Sequence, residues 1–228
     1  MSTVSLEEFL KPISQALGRT EPPAFIESCE ATKAPLPGDY RDYSTEELAQ
    51  WFTEEATKMG TIVREAKPEE VSQVVLDLVN EIGQGGHIVY SDVPEIDGFG
   101  IPEVLNNASF EAVDLGNVGI DDVSADVGIT FASAGIAETA TIMQRCTEKS
   151  GRAVCLLPIG HIALLRKSTI FPYMTQLMDD WENRVAEGEE MPSNVTFISG
   201  PSNTADIELV RVVGVHGPVY ASVVLIDD

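Results

Sequence analysis

The stretch "TIVREAKPEEVSQVVLDLVNEIGQGGHIVYSD", from Thr61 to Asp92, changes its hydrophobic period twice. It opens on the apolar run "TIV". "KPEEVSQVVLDLVNEIG" then places Val71, Val74, Val75, Leu78 and Ile82 on one face at helical spacing. "HIVYSD", starting at His87, is a short strand-like run. A strand, an amphipathic helix and a second strand in that order form the building unit of a mostly parallel sheet, covered by helices on both faces.

The pattern continues to the C-terminus. "FEAVDL" from Phe110 reads as a strand. "DVGITFASAG" and "AETATIMQR" predict two strands joined by a tight turn at Ala134–Gly135. "AVCLLP" and "HIALLR" follow as strand-like runs, separated at Ile159–Gly160. "TIFPYMTQLMDDWENRVAEG" predicts a long helix with Ile170, Tyr173, Met174, Leu177, Trp181 and Val185 on one face. "NVTFIS" is a further strand, and "VVGVHGPVYASVVLI" predicts two strands turning at His216–Pro218. The expected fold is α/β: a mostly parallel sheet with flanking helices, plus late β-hairpins that add antiparallel edges.

Ahead of Thr61, "STEELAQWFTEEATKMG" reads as a helix with Ser44 as its cap, Glu47 closing a capping box and Gly60 ending it. An earlier helix runs from near Ser5 to Gly18, interrupted by Pro12. The four prolines between them mark an extended connector. Residues 1–60 are therefore expected to be a helical N-terminal extension, and residues 61–228 the main domain.

Composition narrows the function. With 228 residues, 43% hydrophobic, the chain can build one good core. Fourteen basic against 37 acidic residues leave a formal charge of −23, with most of the excess acid in the N-terminal half. Such a chain repels phosphate backbones, which argues against nucleic acid as a partner. No apolar run approaches the ~20 residues needed to cross a bilayer, and the N-terminus has no basic start leading into an apolar run. A cytoplasmic location without a membrane partner is expected. The three cysteines, Cys29, Cys146 and Cys155, are odd in number and form no CxxC pair. That spacing supplies neither a disulfide framework nor a cysteine metal site.

Ligands in open α/β sheets gather at the carboxyl ends of strands. "SGPSNTADIE", Ser199 to Glu208, leaves such an end after "VTFI". Gly200 permits close backbone approach and Pro201 fixes the turn. Ser202 or Asn203 can cap a helix beginning with "TADIELV", whose free amides would attract an anion. The alternative is that these side chains only cap the helix. Glu138, beside Thr139 and Thr141, has the make-up of a general base or a nucleophile, and equally of a solvent-facing residue. Arg152 in "SGRAV" is a candidate anion clamp. His216, between glycines in "GVHGP", can pair with Asp206 at a rim. His87, His161 and His216 do not form a recognisable metal-ligand spacing.

In this order, "DVGITFASAGIAETATI", "GR.....LP..HI", "FISGPSNTADIE" and "GVHGP" resemble the lactate-utilization protein C family, the LUD domain. The resemblance covers roughly residues 61–228. It implies a fold related to sugar-phosphate isomerases, coenzyme A transferases and 5-formyltetrahydrofolate cyclo-ligase. It also implies a role in oxidising L-lactate to pyruvate beside two iron–sulfur partner proteins, this chain being the cluster-free member, with no haem expected. Relatives usually read Glu-Thr-Gly-Thr where this chain has Glu138-Thr139-Ala140-Thr141. No catalytic mechanism carries over, so the site residues rest on chemistry and motif position. Glu138 and Thr139 are the candidate catalytic pair. Arg152, Gly200, Ser202, Asn203, Asp206 and His216 are the candidate ligand-binding set for a small anionic metabolite. A different reading is a stand-alone isomerase, transferase or cyclo-ligase using Glu138, or a metabolite sensor. Because three scattered cysteines cannot ligate a cluster alone, the purified chain should be colourless. Stoichiometric iron and sulfide in the isolated protein would contradict this.

Overall fold

The structure, a computed structural model, describes residues 5–20, 42–83, 86–114, 125–147, 149–205 and 211–228. The chain forms two compact units, Met1–Arg41 and Asp42–Asp228. In the first, helix α1 (Leu6–Ala16) starts at the Ser5 cap, with Glu8 completing a capping box, and holds Pro12 inside it. The second unit begins ahead of helix α2 (Thr45–Met59), which the sequence reading had grouped with the extension.

Helix α2 is capped as its sequence predicts. The Ser44 side chain accepts from the Glu47 N–H, the Glu47 carboxylate accepts from the Ser44 N–H, and Gly60 ends the helix in the left-handed region. There follow β1 (Ile62–Ala66), α3 (Val71–Ile82), β2 (His87–Tyr90), α4 (Pro94–Gly98), α5 (Ile101–Asn107), β3 (Glu111–Asp114), β4 (Val127–Phe131), β5 (Ala134–Ile136) and β6 (Thr141–Cys146). The chain continues through α6 (Ala153–Leu156), β7 (Gly160–Arg166), β8 (Ile170–Phe171), α7 (Met174–Ala186), β9 (Asn194–Ile198), β10 (Asn203–Ala205), β11 (Arg211–Val213) and β12 (Tyr220–Ile226).

The main sheet has six strands in the order β1-β12-β7-β4-β2-β3, and every pairing is parallel. A second sheet, β8-β5-β6-β9, contains the antiparallel pairs β5–β6 and β6–β9, and β10–β11 forms an antiparallel ribbon. The expected mostly parallel sheet is thus present. The antiparallel strands form separate sheets rather than edges of the main one, and the chain makes no hairpin at His216–Pro218: β11 pairs with β10, whereas β12 runs parallel between β1 and β7.

Both faces of the main sheet are apolar, as parallel packing requires. One face joins Ile88, Ile129, Ile162, Leu164, Val224 and Ile226 to α3, α4 and α5. The other joins Ala163, Leu165, Val223 and Leu225 to Leu48, Phe52 and Ala56 of α2 and to Ile142 of the second sheet. This burial places α2 in the core of the α/β unit.

Three local expectations are corrected. Ala134–Gly135 lies within β5 rather than in a turn, and the reversal occurs at 137–140. "AVCLLP" contains the helical turn α6 rather than a strand, because a short apolar run has no period to distinguish the two. Ile170 belongs to β8 and not to the helix that follows. Alpha6 lies close against β4. A methyl group built on Gly128 would stand 1.9 Å from the Val154 carbonyl oxygen and 2.9 Å from Pro158 Cγ. Gly128→Ala is therefore expected to cost about 3 kcal/mol or more. That corresponds to a melting midpoint lowered by roughly 6–12 °C for a chain of this size. Calorimetric scans of the two proteins check it.

Candidate functional site

The "SGPSN" loop leaves β9 and meets the "HGP" turn that precedes β12. The Ser202 N–H donates to the Pro218 carbonyl at 2.9 Å, and the Gly214 N–H donates to the Ser202 carbonyl at 2.9 Å. Gly200 stands at φ +73°, a left-handed position open to glycine. Gly217 brings its backbone close to Ser202: an added methyl there would sit 3.2 Å from Ser202 Cβ. The Asn203 side-chain amide donates to the Pro201 carbonyl at 2.8 Å.

These segments enclose a cavity of about 310 Å³. Gly200, Ser202, Asn203 and His216 all line it, together with Ser199, Thr196, Leu156, Cys155 and His161. Four residues selected from two separate motifs thus share one space. The cavity opens at the starts of β7 and β12, the amino edge of the main sheet, and at the carboxyl end of β9 in the second sheet. The expected carboxyl-end location holds for β9 only.

The predicted helix after Asn203 does not start there. Residues Asn203–Ala205 pair antiparallel with Arg211–Val213, so this segment is a strand. Ser202 and Asn203 cap no helix, and free amides at a helix start are not the source of any anion affinity. Turn chemistry and strand entry use the same small polar residues, which is why the segment misled. Asp206 lies outside the described residues, as does Cys29.

Glu138 and Thr139 occupy the exposed turn between β5 and β6. Thr139 connects to the loop through hydroxyls. Thr139 Oγ1 lies 2.7 Å from Thr141 Oγ1, which lies 2.5 Å from Ser199 Oγ. Ser199 itself lines the cavity, whereas Glu138 does not. Arg152 is exposed, just ahead of α6, and is not among the lining residues.

Sequence reasoning missed His161 as a site residue. It is the second residue of β7, 2% exposed, with Nε2 2.9 Å from Thr130 Oγ1. Burial lowers its pKa from 6.5 to about 4, so the ring is neutral at pH 7. The available signal was a polar ring heading the apolar run "HIALLR". Cys155 is buried in the same wall, and burial pushes its thiol up to about 12, which removes it as a nucleophile. Among the described residues, no group of three His, Cys, Asp or Glu side chains is placed to hold a metal ion. No helix among them is long and apolar enough to cross a membrane.

Comparison with known proteins gives consistent matches. The family profile described as LUD domain matches residues 49–226. Lactate utilization protein C of Halalkalibacterium halodurans is 35% identical over 225 residues, covering 97% of both chains. Lactate utilization protein C 1 of Bacillus mycoides is 34% identical, covering 100% of this chain and 99% of the relative. Among solved structures, a DUF162 family protein from Deinococcus radiodurans superposes with a TM-score of 0.59 at 21% identity, covering 81% of this chain and 99% of the other. That likeness bears on the fold alone.

The buried imidazole makes stability depend on pH. Between pH 6.5 and about 4 the unfolded chain takes up a proton at this histidine and the native chain does not. Stability therefore falls as pH drops through that window, by roughly 3 kcal/mol from this group. Urea titrations at pH 7 and pH 4 should show a loss smaller by about that amount in His161→Gln than in the wild type. Equal losses would mean that the native ring protonates at its ordinary pKa.

Proposed function

The chain belongs to the LUD domain family, and from that premise we propose that it is a component of a lactate utilization system. In this reading it is the cluster-free subunit for oxidation of L-lactate to pyruvate, working beside iron–sulfur partner proteins. It holds a small anionic metabolite between the "SGPSN" loop and the "GVHGP" turn.

One observation carries the reading: Gly200, Ser202, Asn203 and His216 converge on a single cavity. The names of the relatives supply the metabolic context. Electrostatics supports the same choice of site. The formal charge of the chain is −23, yet no Asp or Glu is among the described residues lining this cavity. A carboxylate ligand meets less repulsion there than on the acidic surface. Hydroxyls from Ser199 and Ser202 offer donors to it. The neutral His161 at the wall supplies hydrogen bonding without charge. No catalytic step is assigned to Glu138, whose side chain is exposed.

Calorimetric titration with L-lactate, pyruvate and phosphorylated metabolites tests the ligand. The wild type should bind one of these, and Ser202→Ala combined with Asn203→Ala should bind it at least tenfold more weakly, about 1.4 kcal/mol. Equal affinity in the double variant would remove the site from this cavity. Tagged chain recovered from lactate-grown cells should bring iron–sulfur proteins with it, and their absence would count against the subunit role.

A further inference from the structure

A second cleft lies at the opposite edge of the main sheet. The order β1-β12-β7-β4-β2-β3 places β3 on one side of β2 and β4 on the other. The connections diverge between β2 and β4, which makes their carboxyl ends the topological switch point, the usual ligand crevice of an open parallel sheet. A cleft of about 280 Å³ lies there, lined by Val93 and Glu95 after β2, by Phe131 and Ser133 at the end of β4, by Gln144 and Arg145 of β6, and by Thr147 and Ser150 just after β6.

Its floor is built from buried polar groups. The Gln144 Nε2 donates to Ser150 Oγ at 2.9 Å, and Ser150 Oγ donates to Ser91 Oγ at 2.9 Å. Gln144 is 1% exposed, Ser150 4% and Ser91 fully buried. Because the Ser150 hydroxyl gives its proton to Ser91, it accepts from the amide, which fixes Gln144 with its nitrogen toward Ser150. The Gln144 Oε1 is then left buried with no hydrogen-bond partner. A buried polar atom without a partner costs roughly 1–3 kcal/mol, and native proteins seldom leave one so.

We propose that this cleft binds a neutral, hydroxyl-rich ligand, a sugar or a sugar moiety, with one hydroxyl donating to Gln144 Oε1. The lining selects that chemistry. Gln144 Oε1 and the Glu95 carboxylate are acceptors and call for donors on the ligand. The hydroxyls of Ser133 and Thr147 serve either role. An anion is disfavoured by the Glu95 carboxylate; Asp92 nearby is paired with Lys149 at 2.9 Å and adds no net charge. Arg145 also lines the cleft; its charge is matched by Glu189, while its buried Nε is left without a hydrogen-bond partner and can donate to a ligand oxygen. Val93 and the half-buried Phe131 give the apolar wall on which a sugar's C–H face packs. The volume suits a monosaccharide rather than a dinucleotide. This site is independent of the anion cavity, since the two share no lining residue.

Saturation-transfer NMR on the full chain, with D-ribose, D-glucose and adenosine as probes, tests it. Transfer to at least one probe is expected, through free-sugar protons or, for adenosine alone, through its ribose. The signal should persist in the Ser202→Ala, Asn203→Ala protein. It should fall severalfold in Gln144→Met, which keeps the side-chain length and removes the amide. Ser133→Val, on the half-exposed rim, should give the same loss and guards against misfolding of the buried variant. No transfer to any probe, or unchanged transfer in both Gln144→Met and Ser133→Val, overturns the proposal.

Discussion

Among the described residues, one buried lysine ties the α/β unit together. Lys167, just after β7, is 4% exposed. Its ammonium lies 2.7 Å from Glu65 of β1, 2.7 Å from Asp227 after β12 and 3.4 Å from Glu46 of α2. Burial by itself would lower the lysine pKa, but hydrogen bonds to Asp227 and Glu65 outweigh it and raise the value. The site matters because β12, the last strand, must insert between β1 and β7 to complete the sheet. Without a cation, three carboxylates from distant parts of the chain would crowd one corner and repel one another. With it, the helix, the edge strand and the C-terminal strand share one counter-charge. In so acidic a chain a buried lysine both relieves repulsion and selects which acids can approach.

Completing the sheet in this way creates two edges of different character. At the amino edge the starts of β7 and β12 hold His161 and the "HGP" turn against the "SGPSN" loop, and the described lining residues include no Asp, Glu, Lys or Arg. At the carboxyl edge the ends of β2 and β4 meet the second sheet across the chain Gln144–Ser150–Ser91. The second sheet borders both. Its β9 delivers Ser199 to the first edge, and its β6 delivers Gln144 to the second. A small sheet packed on a parallel one therefore furnishes walls for two clefts without interrupting the core between them.

What could be read from sequence follows from how local each signal is. The Ser44–Glu47 capping box, the Gly60 stop and the apolar face of α3 were legible, because caps and helical periods depend on residues within a few positions. The parallel sheet was legible from the alternation of strand-like runs with the helical face of α3. The place of "YASVVLI" was not: it reads as one arm of a hairpin, whereas its Val223, Val224, Leu225 and Ile226 are buried in a strand that runs parallel between β1 and β7. The α6 turn and the Asn203–Ala205 strand were not legible, since four apolar residues or three small ones suit either state until a partner strand chooses. Four of the chosen site residues meet in one cavity because their motifs flank strands that pack together. Arg152 stands apart on the surface. His161 and Gln144 went unread, because burial gives a polar side chain its importance and burial is a property of the fold.

Ala140 shows how the turn at 137–140 is held. Its φ is +42°, in the left-handed region that favours glycine, and the residue is 4% exposed. A left-handed alanine costs roughly 1–2 kcal/mol, so neighbouring interactions must fix the turn. They do so from three directions. The Ala137 N–H donates to the Phe171 carbonyl at 2.8 Å, and the Glu138 N–H to the Pro172 carbonyl at 3.1 Å. The Ala140 methyl belongs to the cluster of Phe52, Ile142 and Leu165, so the group that strains the backbone also adds to the core. The hydroxyl chain Thr139–Thr141–Ser199 then links the turn to the loop that lines the amino-edge cavity. The strain is thus located where the second sheet positions that loop, and burial of one methyl offsets part of it. Alanine is consequently tolerable here because α2 packs over the turn, the same helix that Lys167 fastens to the end of β12.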